Sequence, residues 1–299
     1  MVYFQGTFKL TEEKNNLINK SQVRLLLNGL HSKSGGGLNY LKNILPLIAA
    51  DKDIDLHLCI HKNQRNLLPQ NLRNINIHSL EFTPGFWRLQ IHEQIDVPRL
   101  AKKISADVIF SPANYGPLLV SNSVILLRNA LSVAFVERRL GKLGYWALVY
   151  FATFLSLLFS KKAIVVSNYA RTAFSRSFFS LFKNRLIVVN HGVSKIFSPP
   201  KPGIDRDNFL LAVSDIYVQK NLENLIKAFK KLKFDHPYLT LKIAGYPVDF
   251  DYFQNLKKVI SDNKLDNDIQ FLGSVKSIEL VKLYQSCIIF VFPSTVETF

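Results

Sequence analysis

The chain has 299 residues, with 38 Lys and Arg against 22 Asp and Glu, and a formal net charge of +16. At 48% hydrophobic and 20% charged residues the composition is that of a folded chain and excludes a disordered one. Cys59 and Cys287, the two cysteines, stand far apart in apolar runs. That excludes a disulfide framework and a cysteine-rich zinc site, and it suits a reducing compartment.

Residues 1–20 lack the apolar stretch of a secretory signal. Tyr3-Phe4-Gln5-Gly6 resembles the end of a protease-cleavable tag, so this segment is set aside from the fold. Val23–Leu27 is a compact apolar run ending in Asn28-Gly29, which predicts a buried strand. Gly35-Gly36-Gly37 reads as a loop, and Leu38, Leu41, Ile44, Leu45 and Ile48 then recur at helical spacing. Leu56–Ile60 and Ile75–His78 predict further strands, and Ile91–Ile104 a helix that Pro98 either interrupts or starts. Strands are expected at Val108–Phe110, Val124–Leu127, Ala163–Val166 and Leu186–Val189, with a helix over Tyr169–Phe179. Three prolines in the four residues Pro199-Pro200-Lys201-Pro202 then stop regular structure. Beyond them strands are expected at Phe209–Val213, Leu239–Ala244, Ile269–Leu272 and Ile288–Phe292. Helices are expected between them over Asn221–Leu232, Tyr252–Ser261 and Ile278–Tyr284.

Strands alternating with helices predict βαβ units and mostly parallel sheets. The expected organisation is two Rossmann-like α/β domains, residues 21–198 and 199–299. The second offers about four strands where a doubly wound sheet commonly has five or six, so it reads as incomplete.

Several segments, in their order and spacing, carry a family resemblance. They are the glycine stretch after the first strand, Val165-Val166-Ser167-Asn168-Tyr169-Ala170, and Val188-Val189-Asn190-His191-Gly192-Val193. The most specific lie in the second domain: Lys220-Asn221, Leu225-Ile226-Lys227-Ala228-Phe229, Leu241-Lys242-Ile243-Ala244-Gly245, Ile269-Gln270-Phe271-Leu272-Gly273, and Val291-Phe292-Pro293-Ser294 with Glu297. The chain resembles a group 1 (family 4) retaining glycosyltransferase of the GT-B fold, C-terminally truncated. The resemblance implies two Rossmann-like domains facing a cleft, an acceptor bound by the first and a nucleotide-sugar by the second. The family's signature is a pair of glutamates. Glu297 matches the first, and the second falls beyond Phe299.

By this resemblance Lys220 and Glu297 are the catalytic candidates, and Gly36, Gly37, Lys220, Asn221, Gly245 and Glu297 bind the donor. A lysine ammonium suits a nucleotide diphosphate and stabilises the phosphate as it leaves. Asp215 stands where relatives often place an arginine, so one phosphate-binding charge is missing or comes from elsewhere. Gly35–Gly37 has neither dinucleotide-fingerprint nor Walker spacing, so it is either a close approach of backbone to a ligand or a flexible turn. Arg128-Asn129, where relatives place a histidine, is either an acceptor or phosphate site or a structural ion pair. His191 reads as a turn histidine, and His31 and His92 carry no assignment. No metal spacing and no resident cofactor are expected; the UDP- or GDP-linked sugar is a substrate.

The expected reaction moves a hexose-type sugar to a saccharide or lipid-linked acceptor with retention, in surface polysaccharide or lipopolysaccharide synthesis. The alternatives are a nucleotide-sugar epimerase on the same fold and an inactive membrane-bound fragment. The apolar run from Tyr145 to Phe159 is too short to span a bilayer and is flanked by Arg138, Arg139, Lys142, Lys161 and Lys162. It is either a core helix or an interfacial one, with Trp146, Tyr150 and Phe154 as membrane contacts. An anionic membrane surface accounts for the run and the net charge together, which places the protein in the cytoplasm at the inner face of the membrane. No nucleic-acid partner is expected, because no RNA-binding aromatic signature and no zinc-finger spacing occur.

Overall fold

The computed structural model describes residues 22–33, 35–69, 73–128, 140–176, 178–200, 203, 205–295 and 297. It forms two compact units. One comprises the described residues of Met1–Arg128 with Phe151–Val165 and Leu181–Val188. The other comprises those of Asn129–Tyr150, Val166–Ser180 and Val189–Phe299.

The first unit is built on β1 (Val23–Asn28), β2 (Ile54–His61), β3 (Ile75–Leu80), β4 (Val108–Ser111), β5 (Ser123–Leu127), β6 (Lys162–Val165) and β7 (Leu186–Val188). They pair in parallel in the order β3-β2-β1-β4-β5-β6-β7. Leu26, Leu27, Leu58, Ile60 and Leu127 are fully buried, as strands covered on both faces require. α1 (Gly35–Ala49) begins at the glycines, so Gly35-Gly36-Gly37 forms the first turn of a helix and not the loop expected. Gly35 opens it at φ 53, a left-handed conformation that glycine adopts without cost.

α2 (Phe86–Lys103) starts five residues before the expected Ile91 and runs through Pro98. Its N-cap is Gly85 after Pro84, and the apolar pattern misses this start because Phe86 and Trp87 are exposed. α3 (Leu140–Phe159) contains the long apolar run. No helix among the described residues is long and apolar enough to cross a membrane. Within the first unit its residues Thr153, Ser156 and Leu157 turn inward, and Phe154 packs edge-on to Phe182 with centroids 5.4 Å apart. Phe151, Leu158 and Phe159 are the exposed apolar side chains there. α4 (Asn168–Arg176) stops before the expected Phe179, and the chain continues as 3-10 turns over Phe178–Arg185.

The second unit carries β8 (Asp207–Val213), β9 (Thr240–Ala244), β10 (Ile269–Gly273) and β11 (Cys287–Phe290), parallel in the order β10-β9-β8-β11. α5 (Leu222–Asp235), α6 (Phe250–Asp262) and α7 (Ser277–Ser286) connect them. Phe229, Leu222 and Ile226 of α5 bury against Leu241, Ile243 and Leu256. In both sheets the strand order reverses beside the first strand of the unit, β1 or β8, and ligands of such sheets bind at the carboxyl ends there.

Candidate functional site

Val213 ends β8, and the chain makes a 3-10 turn at Val218–Lys220 before α5. Asn221 caps that turn at φ 53 and ψ 32, a left-handed conformation that asparagine tolerates better than most residues. Its Nδ2 donates to the carbonyl of Pro293 at 3.1 Å, and its Oδ1 accepts from Asn224 Nδ2 at 2.7 Å. Thr295 donates twice to the Gln219 carbonyl, from its amide at 3.0 Å and its hydroxyl at 3.2 Å. These bonds tie the segment after β11 to the turn after β8. The result is an ion pair between Lys220 and Glu297, two residues far apart in sequence.

The Lys220 side chain is 12% exposed and that of Glu297 32%. Lys220 Nζ also lies 5.4 Å from the ring centre of Tyr217 and 5.3 Å from that of Phe292, within cation–π range. Burial raises the Tyr217 pKa and the Lys220 charge opposes the shift, so the phenol stays protonated and able to donate. Ser294 Oγ, in the segment after β11, is buried without a hydrogen-bond partner. A part-buried ammonium beside a carboxylate offers an anion-binding charge and an acceptor for hydroxyl groups.

Gly245 is a different case. A Cβ there would stand 1.7 Å from the Ser214 carbonyl oxygen, and its amide donates to the Gly273 carbonyl at 2.8 Å. Close approach of two strand-end loops requires this glycine. Asp215 accepts from the Tyr246 amide at 3.3 Å in the same place, so it is part of the loop's wiring.

In the first unit Arg128 closes β5, and its amide donates to Asn114 Oδ1 at 2.8 Å. Its guanidinium lies against Gly37: a Cβ on that glycine would come 2.3 Å from Nη1 and 3.2 Å from Cζ. Burial lowers the Arg128 pKa, while Tyr115 and Tyr40 oppose the shift. Gly36 is exposed at the same turn. Asn129 lies outside the described residues, as do Ser34, Arg138 and Arg139. Trp146, Tyr150 and Phe154 are each half-buried. Among the described residues no group of three or more His, Cys, Asp or Glu is placed to hold a metal ion.

The Gly37–Arg128 contact yields a prediction. Gly37→Ala should displace a movable guanidinium and leave the fold within about 1 kcal/mol of the parent, since alanine is also the better helix former. Thermal unfolding checks stability, and the Arg128 Nε–H resonance checks displacement. A large fall in melting temperature, or an unmoved resonance, contradicts it.

One residue that the sequence reading passed over is Glu93, fully buried on α2. The signal was present: Leu89, Glu93, Val97 and Ala101 form the buried stripe of that helix, and a glutamate in such a stripe needs a reason.

Residues 194–299 match the model for glycosyl transferases group 1. This segment is similar to that family. The matched segment holds every residue of the Lys220–Glu297 arrangement. No curated protein matches the chain. Among solved structures, sucrose-phosphate synthase from Thermosynechococcus elongatus is similar with a TM-score of 0.72 at 15% identity, over 93% of this chain and 77% of that one. HepE from Anabaena, solved with UDP-glucose, gives 0.69 at 18% identity, over 93% and 75%. WaaG, a glycosyltransferase involved in lipopolysaccharide biosynthesis, gives 0.67 at 13% identity, over 92% and 76%. At these identities the likeness is one of fold, and the fold is that of the GT-B glycosyltransferases.

Proposed function

We propose that the chain transfers a hexose-type sugar from a UDP- or GDP-linked donor to a saccharide or lipid-linked acceptor, with retention at the anomeric carbon. The observation that carries this reading is the Lys220–Glu297 pair at the carboxyl edge of β8 and β11, inside the segment that matches the transferase family. Lys220 takes the diphosphate and stabilises the charge that develops on it as the sugar leaves. Glu297 accepts hydrogen bonds from sugar hydroxyls, Asn221 fixes the turn, and Ser294 offers a further hydroxyl. The acceptor binds the first unit at Arg128 and Asn129, and Gly36 and Gly37 belong with the donor-binding residues. The donor is a substrate, and the reaction calls for no resident cofactor. Solved relatives support the donor class: HepE was solved with UDP-glucose. WaaG supports a role in lipopolysaccharide or surface polysaccharide synthesis. The test is release of UDP or GDP from nucleotide-sugars on addition of saccharide acceptors. Release from one donor with a product of unchanged anomeric configuration supports the reading, and no release from any donor contradicts it.

The same reading places the protein in the cytoplasm, peripheral at the inner face of the membrane. α2 adds support that the apolar run of α3 alone does not give. Trp87, Ile91 and Ile95 recur at helical spacing and are 66%, 56% and 42% exposed. Arg88, Arg99, Lys102 and Lys103 are exposed on the same helix. An apolar stripe beside cations is the pattern of a helix lying at an anionic lipid surface. The double change Trp87→Ser and Ile91→Ser should lower binding to anionic liposomes at least ten-fold, since burial of each side chain is worth about 1.5–3 kcal/mol. Co-flotation at low and high salt measures it. Equal binding of parent and variant would remove α2 from the interface.

A further inference from the structure

Glu93 is wholly buried, and a carboxylate in that position costs several kcal/mol unless it is partnered. Its Oε1 accepts from Asn28 Nδ2 at 2.6 Å. Its Oε2 stands 2.9 Å from His31 Nε2 in an ion-pair contact, and neither of those two atoms has a hydrogen-bond partner. An imidazole whose Nε2 faces a carboxylate turns Nδ1, its second polar atom, to the other side of the ring. The His31 ring meets Tyr115 edge to face with centroids 4.8 Å apart. Asn114, the residue before Tyr115, accepts from the amide of Arg128, whose guanidinium rests on Gly37. Ser32, next to His31, is fully buried with its hydroxyl unpartnered. This chain of contacts follows the carboxyl ends of β1, β4 and β5, where the order of the first sheet reverses.

The geometry points to an acceptor subsite for an anionic sugar in the first unit: His31 receives a ring hydroxyl, Tyr115 packs against the ring, and Arg128 holds a phosphate or carboxylate carried by the same sugar. Glu93 acts through His31 and is a positioning residue. An imidazole nitrogen and an aromatic edge suit a polyhydroxyl ring, and a part-buried guanidinium suits an anion, so the two together favour a sugar that carries an anion over a neutral sugar or a bare anion. The inference rests on the transferase reading above and narrows its acceptor.

The experiment is titration of the whole chain, labelled with nitrogen-15 at histidine, with glucose 6-phosphate, glucuronate, glucose and inorganic phosphate. One or both of the charged sugars should bind at least ten-fold more tightly than glucose or inorganic phosphate and should shift the His31 ring resonances. The tighter of the two identifies the anion as phosphate or carboxylate. His31→Ala should lose that preference. Glu93→Gln, which keeps an acceptor for Nε2–H, should retain more of it than Glu93→Ala. Binding of glucose or inorganic phosphate as tight as that of the charged sugars, or an unmoved His31 ring, overturns the subsite. So does a folded His31→Ala chain with unchanged affinity; if that variant does not fold, the ranking of ligands and the wild-type ring shift decide. UDP is titrated in parallel. Failure of UDP to bind counts against the donor reading, whereas UDP binding with a silent His31 overturns the subsite alone.

Discussion

Lys220→Ala should weaken UDP binding by about 10- to 100-fold. A hydrogen bond from a charged donor is worth about 1.5–3 kcal/mol, and a part-buried ammonium on a diphosphate stands at the upper end of that range. The loss has a second component. With Lys220 removed, the Glu297 carboxylate remains at the same edge, held there by the Asn221–Pro293 and Thr295–Gln219 bonds, and it repels the phosphates. Lys220→Met, which keeps packing against Tyr217 and Phe292 but loses the charge, should behave like alanine. Glu297→Gln should spare UDP binding and weaken binding of the intact nucleotide-sugar, because its proposed partners are sugar hydroxyls. Calorimetric titration of the parent and the three variants separates these effects. UDP affinity in Lys220→Ala within two-fold of the parent contradicts the assignment of Lys220 to the diphosphate.

Gly245→Ala should be the most destabilising single methyl addition in the second unit. The added Cβ meets the Ser214 carbonyl oxygen at 1.7 Å and the Asp215 amide nitrogen at 3.1 Å, both of them backbone. Neither can rotate away as a side chain can. The β8 and β9 ends would have to part, at a cost of about 3 kcal/mol or more. For a unit of this size that is a fall of roughly 10 °C or more in melting temperature. Gly192→Ala is the control: nothing lies within 4 Å of its Cβ, and its stability should stay within about 0.5 kcal/mol of the parent. Thermal unfolding followed by circular dichroism decides the matter. Equal melting temperatures for Gly245→Ala and the parent would contradict the close approach of these loops.

Much of this fold is legible in the sequence because parallel strands buried on both faces read as continuous apolar runs. Val23–Leu27, Phe209–Val213 and Leu239–Ala244 each lie within a residue or two of the observed strand. Helix starts were less legible, for physical reasons. α2 opens with Phe86 and Trp87 on its exposed side, so the buried period begins only at Leu89. Three glycines favour a loop on propensity, yet Gly37 is buried in the first turn of α1 with the movable Arg128 guanidinium lying against it. Lys220 and Glu297 were named from the resemblance, and the hydrogen bonds through Asn221 and Thr295 show why they meet. The partnership of His31 with Glu93 could not be read from spacing, since it joins a loop to a helix interior 62 positions away in the chain.

The most direct test of the donor assignment is diffraction from crystals of this chain soaked with UDP. The account predicts diphosphate density within hydrogen-bond distance of Lys220 Nζ, at the carboxyl ends of β8 and β11. Diphosphate density on Arg128 and Gly37, with Lys220 still paired to Glu297, would contradict it.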